Sequence, residues 1–242
     1  MKDFINNIID DFVTCFIVKD RYEYILEGLG NTIKISFVAL VFGILIGVIL
    51  AIIRSSYDKN YNEMKQGIGK SLLRLANSIA KIYITVIRGT PVMIQIMIMF
   101  FVIFSTARNG VPVAMLTFGI NSGAYVAEII RAGIMSIDVG QEEASRCLGF
   151  NYFQTMAYVV IPQAFKNVLP ALANEFIALL KETSVSCYVA VNDLTKGGDI
   201  IRSVTYVQAM PLLIVALLYL LMVMILSKLV SLLERKLREN ER

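Results

Sequence analysis

Two groups of residues in this chain could bind or dock something. The first is the stretch GQEEASRCLGFNYFQTMAYVVIP, residues 140–162, where Glu142, Glu143, Ala144, Ser145 and Arg146 stand in an otherwise apolar neighbourhood and Gly149 punctuates the middle. The second is a set of polar side chains inside apolar runs: Gln95; Asn121, Tyr125 and Glu128; Asn174 and Glu175; Thr183 and Ser184. Asn121, Tyr125 and Glu128 follow at steps of four and three, which places them on one helix face. The chemistry on offer is recognition rather than catalysis. Histidine is absent, which removes the usual metal ligand and general base. Cys15, Cys147 and Cys187 have no CxxC spacing, so neither a zinc site nor a disulfide framework is suggested. The stretch GIGKSL, residues 67–72, has Met64 where a phosphate-binding loop needs its first glycine. No persuasive nucleophile and base pair is present.

The elements that must hold these residues are apolar. The chain has 242 residues, 57% of them hydrophobic and only 17% charged, against about a quarter charged in a soluble domain. The stretches 35–53, 89–107, 109–127, 147–165 and 203–227 carry no charge at all. About 20 apolar residues cross the hydrocarbon core as a helix. The chain is therefore expected to be an all-α integral membrane protein. The first span is expected at Ile35–Ile53, with Gly43 and Gly47 as a close-packing pair, read as internal packing. A second is expected from Arg88 onward, with Pro91 near its start, and a third at Val113–Ile134. A fourth, more polar, is expected at about residues 164–181, and a fifth at Val207–Leu229. Between the first and second spans, SLLRLANSIAKIYITVI (71–87) reads as a partly amphipathic helix entering the membrane obliquely or lying at its interface.

Basic residues follow the first span and fill the tail SKLVSLLERKLRENER, so both are expected to be cytoplasmic. Five spans then put the N-terminus outside and the C-terminus inside, with residues 140–162 on the cytoplasmic face. Hydropathy alone would instead take 147–165 as a span, which would separate the two basic segments. Residues 139–148 are expected to form a short helix and Gly149 a tight turn. A second short helix should end before Pro162. Two short helices at a turn make a rigid knob. The N-terminus, MKDFINNIIDDF, is too acidic for the basic region of a signal peptide and is read as retained along the membrane surface.

The knob carries a recognisable pattern. Glu143, Ala144 and Ser145 are followed by three residues, Gly149, nine residues, and Val159-Val160-Ile161-Pro162. This resembles the EAA loop of permease subunits of binding-protein-dependent ABC importers, in the polar amino acid uptake family. Ser145, Val159 and Ile161 depart from that pattern conservatively. RGTPVMIQ (88–95), GAYVAEIIRAGI (123–134) and LLKETSV (179–185) are also similar to that family's segments, and the likeness runs over about residues 26–233.

The resemblance implies a type I ABC importer transmembrane domain at 26–233, with a coupling loop near 136–162, an N-terminal interfacial segment at 1–25 and a cytoplasmic tail at 234–242. It implies that Glu143, Ala144, Ser145, Gly149, Ile161 and Pro162 couple to an ATPase. No cofactor is expected in this chain; ATP and Mg belong to two partner ATPase subunits. The other implied partners are a second permease subunit, identical or different, and an extracytoplasmic amino acid-binding protein. Membrane lipid surrounds the chain, Lys236 and Arg238 meeting anionic headgroups, and no nucleic acid is involved. The implied location is the bacterial plasma membrane, multi-pass.

Ionisable groups inside spans are costly and suggest function by default. Gln95, Asn121, Tyr125, Glu128, Asn174, Glu175, Thr183 and Ser184 are the candidate substrate pathway. Glu128 has a second reading as the partner of Arg131, Glu175 as the partner of Lys181 or of an arginine in a second subunit, and Gln95 as one interhelical hydrogen bond. The alternative function is a secondary transporter or channel independent of ATP; five spans show no evident inverted repeat to support it. A non-transporting scaffold is disfavoured by the polar residues within spans.

Overall fold

The computed structural model describes residues 2–62, 64–189 and 191–239, and among them it is all α-helical with no strand. The helices are α1 (Lys2–Phe12), α2 (Tyr22–Asn60), α3 (Ile68–Gly89), α4 (Val92–Ile98), α5 (Gly110–Met135), α6 (Val139–Cys147), α7 (Tyr152–Thr155), α8 (Ile161–Glu182), α9 (Leu194–Thr205) and α10 (Ala209–Glu239). Wider π-type turns extend α4 over Met99–Ile103 and join α7 to α8 over Met156–Val160.

The five-span expectation does not stand. Among the described residues, three helices are long and apolar enough to cross a membrane: Tyr22–Asn60, Gly110–Met135 and Ala209–Leu237. A fourth is reached only if Ile68–Gly89 and Val92–Ile103, bent by 104°, count as one span. The run that begins at Arg88 reads as continuous grease, but Pro91 disfavours the helical region for the residue before it. Thr90 is extended (φ −119°, ψ 142°), and the chain turns there. The apolar helix beyond it is only about 18 Å long at 1.5 Å per residue, short of the roughly 30 Å hydrocarbon core. The proposed fourth span, α8, carries Gln163, Lys166, Asn167, Asn174, Glu175, Lys181 and Glu182 among its 22 residues, too polar to qualify. The outside N-terminus and inside C-terminus were tied to five spans and are not fixed by three spans that become four if the bent pair is one.

The chain divides into two compact units. One comprises Met1–Ala39, Val92–Phe118 and Ile177–Lys228; the other comprises Leu40–Pro91, Gly119–Phe176 and Leu229–Arg242. In the first, α9 lies backbone to backbone on α2. A Cβ added at Gly28 would stand 2.5 Å from the Asp193 carbonyl oxygen, and one at Gly197 the same distance from the Tyr24 carbonyl oxygen. Only glycine permits that approach. Cys15, Phe16, Ile25, Leu194, Ile201 and Val215 fill the core beside it.

Asp193 caps α9, its carboxylate accepting from the Lys196 and Thr195 amides at 2.9 and 3.3 Å. Its burial is complete, and that burial pushes its carboxyl up from 3.8 to about 6 against the opposing pull of these hydrogen bonds. A raised carboxyl pKa means the folded state holds the proton more tightly than the unfolded one. This contribution to stability is full below about pH 4, falls as pH rises to about 6, and is flat above. Two pH units correspond to at most about 3 kcal/mol. Asp193→Asn keeps the capping oxygen without the charge. We expect thermal unfolding in detergent to show the parent losing stability between pH 4 and 6, and the variant to lack that fall and to melt higher at pH 7.5. An identical pH profile in the two proteins would remove the buried charge as its cause.

In the second unit Gly43 and Gly47 pack on α5, as internal packing requires. Their added Cβ atoms would meet Ser122 at 2.8 Å and Val126 at 2.5 Å. Helix α3 closes on the same pair of helices: Ile84 packs with Ala124, Ala127 and Leu50, and the Tyr83 hydroxyl donates to the Ile120 carbonyl at 2.5 Å.

Candidate functional site

The knob is built by backbone and cap. The Asp138 carboxylate accepts from the Gly140 amide at 2.6 Å and starts α6. At the other end the Phe150 amide donates to the Ser145 carbonyl at 3.1 Å and the Gly149 amide to the Arg146 carbonyl at 2.9 Å. With Gly149 at φ +87°, this is the Schellman arrangement that ends a helix on a left-handed residue. Asn151 and Gln154 then exchange amide-to-side-chain hydrogen bonds, both 2.9 Å, in a capping box that starts α7.

Sequence reasoning expected the second helix to end before Pro162. It does not end there. The π-type turn Met156–Val160 carries the helix into α8. The wider turn accommodates a ring that has no amide to donate and that crowds the carbonyl one turn back. The Gln163 side chain donates to the Val159 carbonyl at 3.0 Å.

Within the knob, Glu143 and Ala144 are exposed, whereas Ser145 is buried and its hydroxyl donates to the Gln141 carbonyl at 2.6 Å. Ile161 and Pro162 are exposed in the first turn of α8. Beside the acidic Glu143 lie apolar groups open to the outside: Val139, Leu148, Phe153 and Tyr158, the last three at 78%, 80% and 71% exposure. An exposed apolar patch with a charge at its edge, on a framework held by backbone hydrogen bonds, is the anatomy of a protein-docking surface.

The candidate pathway residues fall in both units. In the second unit, Asn121 is buried on α5, and the Tyr125 ring lies under the Arg88 guanidinium at 5.1 Å. Glu128 accepts from Arg131 at 2.9 Å, and Arg131 reaches Asp58 on α2 at 3.4 Å. On α8, Glu175 is half-buried and accepts from the Ser122 hydroxyl at 2.8 Å, while Asn174 is exposed. Pro170 sits inside α8 without ending it. A cavity of about 280 Å³ in this unit is lined by apolar residues of α2, α5 and α8, among them Ile44, Val48, Ile130 and Phe165. None of the polar candidates lines it. In the first unit, Gln95 is half-buried on α4, which packs against the 3-10 turn Thr183–Val189 that holds Thr183 and Ser184. Thr183 is buried and its hydroxyl donates to the Leu180 carbonyl at 2.8 Å; Ser184 is half-buried.

Sequence reasoning missed Ser122 as a partner of Glu175 and Lys59 as a partner of Glu142. These pairs are separated by 53 and 83 residues, and no local spacing reveals them. Among the described residues, no group of three His, Cys, Asp or Glu side chains could hold a metal ion.

Comparison with known proteins is consistent along nearly the whole chain. Residues 43–239 match the family described as binding-protein-dependent transport system inner membrane component. The arginine transport system permease protein ArtQ of Bacillus subtilis is 36% identical over 224 residues, covering 91% of this chain and 95% of that one. The putative glutamine transport system permease protein GlnP of Rickettsia typhi is 36% identical over 220 residues, covering 90% and 94%. The crystal structure of an amino acid ABC transporter with histidines has a chain 39% identical to this one, with a TM-score of 0.79, covering 91% of this chain and 98% of that chain.

Proposed function

The chain belongs to the family of binding-protein-dependent transport system inner membrane components, and from that membership we propose how it works. It is the permease component of an ABC-type importer of polar amino acids, a multi-pass protein of the bacterial plasma membrane. It is a transport subunit; ATP hydrolysis resides in the partner ATPase.

In the proposed cycle, residues 26–233 form half of a transmembrane domain whose other half is a second permease, identical or different. An extracytoplasmic binding protein delivers the amino acid. Two ATPases carrying ATP and Mg close on one another and draw on the segment 136–162 of each permease, which reorients the pathway. Glu143, Ala144, Ser145, Gly149, Ile161 and Pro162 make up the coupling element. Gln95, Asn121, Tyr125, Glu128, Asn174, Glu175, Thr183 and Ser184 contribute to the pathway. Segment 1–25 lies along the membrane surface. The tail 234–242 meets anionic headgroups through Lys236; the Arg238 side chain and residues 240–242 lie outside the described residues.

The observation that carries this reading is the doubly capped knob, with Glu143, Ala144, Leu148 and Phe153 facing outward. The relatives named for arginine and glutamine transport support a cationic or neutral polar amino acid as cargo. The test is reconstitution in liposomes with cognate ATPase and binding protein. Uptake of arginine or glutamine is expected to require ATP and both partners. Uptake that follows an imposed ion gradient without ATP would sink the proposal.

A further inference from the structure

Five titratable groups gather around the last turn of α2, none of them among the six residues assigned to coupling above: Asp58, Lys59, Glu128, Arg131 and Glu142. Asp58 and Lys59 are neighbours, yet they reach different elements. Asp58 takes Arg131 of α5, whereas Lys59 donates to Glu142 of α6. The Lys59 and Glu142 side chains keep only 13% and 15% of their exposure, about half of what Asp58 and Arg131 keep, at 28% and 26%. Withdrawal from water makes such a pair costly to break, because the group left behind remains buried and uncompensated.

Glu142 precedes Glu143 by one residue, so the two point about 100° apart around α6. Glu143 and Ala144 face outward; Glu142 turns in. Helix α6 thus has two working sides. A second polar contact of α6, Gln163 to Gln141, is neutral and 3.5 Å long. We infer that Lys59 is a positioning residue of the coupling apparatus. Its ion pair with Glu142 passes the displacement of α6 directly into α2, a candidate membrane span. The inference rests on the assignment of α6 as the coupling helix.

The test uses the complete transporter, with its ATPase and binding protein, in liposomes. The readouts are the ratio of binding-protein-stimulated to unstimulated hydrolysis, and solute taken up per ATP. Lys59→Glu and Glu142→Lys each place like charges together, and each is expected to lower the ratio about five-fold or more. The double reversal is expected to restore at least about half of the parent ratio, since it rebuilds the attraction with the signs exchanged. Lys59→Arg should stay near the parent. Lys59→Gln keeps a donor without the charge and should still fall, which gives a reading if the reversals do not assemble.

Co-purification of the ATPase should be unchanged in every Lys59 variant, because Lys59 is not on the docking side. Parent-like ratios in Lys59→Gln, or a double reversal as impaired as the single ones, would overturn the inference. So would loss of ATPase from Lys59→Gln. If Glu143→Lys also leaves ATPase association and stimulation untouched, the fault lies with the coupling assignment itself.

Discussion

Gly149→Val is expected to abolish binding-protein-stimulated hydrolysis and uptake while leaving membrane insertion intact. Gly149 holds φ +87°, a region in which a β-branched side chain costs about 2 kcal/mol or more. A Cβ there would meet no atom within 4 Å, so the penalty is one of backbone conformation rather than crowding. The chain can relieve it only by opening the turn that sets α7 against α6. Asn tolerates positive φ better than other non-glycine residues, so Gly149→Asn should keep much of the activity. Glu143→Lys attacks the same surface without touching its shape. A reversed charge at a docking edge should weaken ATPase association about ten-fold or more. Co-purification and stimulated hydrolysis at matched protein levels measure both effects. Normal values for Gly149→Val and Glu143→Lys together would remove residues 136–162 from the coupling role.

The second large effect is expected at Glu175. Its carboxylate accepts from Ser122 at 2.8 Å, and a glutamine can accept that bond through its own carbonyl oxygen. Glu175→Gln therefore changes charge with little change in packing. If the pathway carries cationic amino acids, arginine uptake should fall about ten-fold or more, because a cation leaving water loses its compensating charge. Glutamine uptake should fall far less. Glu128→Gln supplies the contrast. Its carboxylate is engaged by Arg131, so its loss should affect every cargo alike. Competition uptake in the assembled transporter separates the cases. Equal losses for arginine and glutamine in Glu175→Gln would end its role in charge recognition.

Much of the knob was legible because its determinants are local. The Gly149 turn was read from its neighbours in sequence, whereas the Asp138 cap and the Asn151–Gln154 box, equally local signals, were not; α6 begins at the expected Val139. The GxxxG pair also behaved as its small residues suggest. The spans were less legible for a physical reason. Hydropathy sums side chains along a window and is blind to direction, so the turn that Pro91 imposes after Arg88 did not register. Helix α8 was assigned as a span although its polar residues already argued otherwise. The site residues divide the same way. The Asn121–Tyr125–Glu128 face follows from helical period, but Lys59 beside Glu142 depends on the path of the whole chain between them.

The knob keeps its form through caps, amides and one left-handed glycine, and none of these hydrogen bonds uses the side chain of Glu143, Ala144, Leu148 or Phe153. Its outer residues, Glu143, Ala144, Leu148 and Phe153, are therefore released from the duty of folding it. Selection can rewrite that surface one residue at a time, to suit a different motor or to share one motor among several permeases, without passing through a misfolded ancestor. Shape and affinity are here inherited separately.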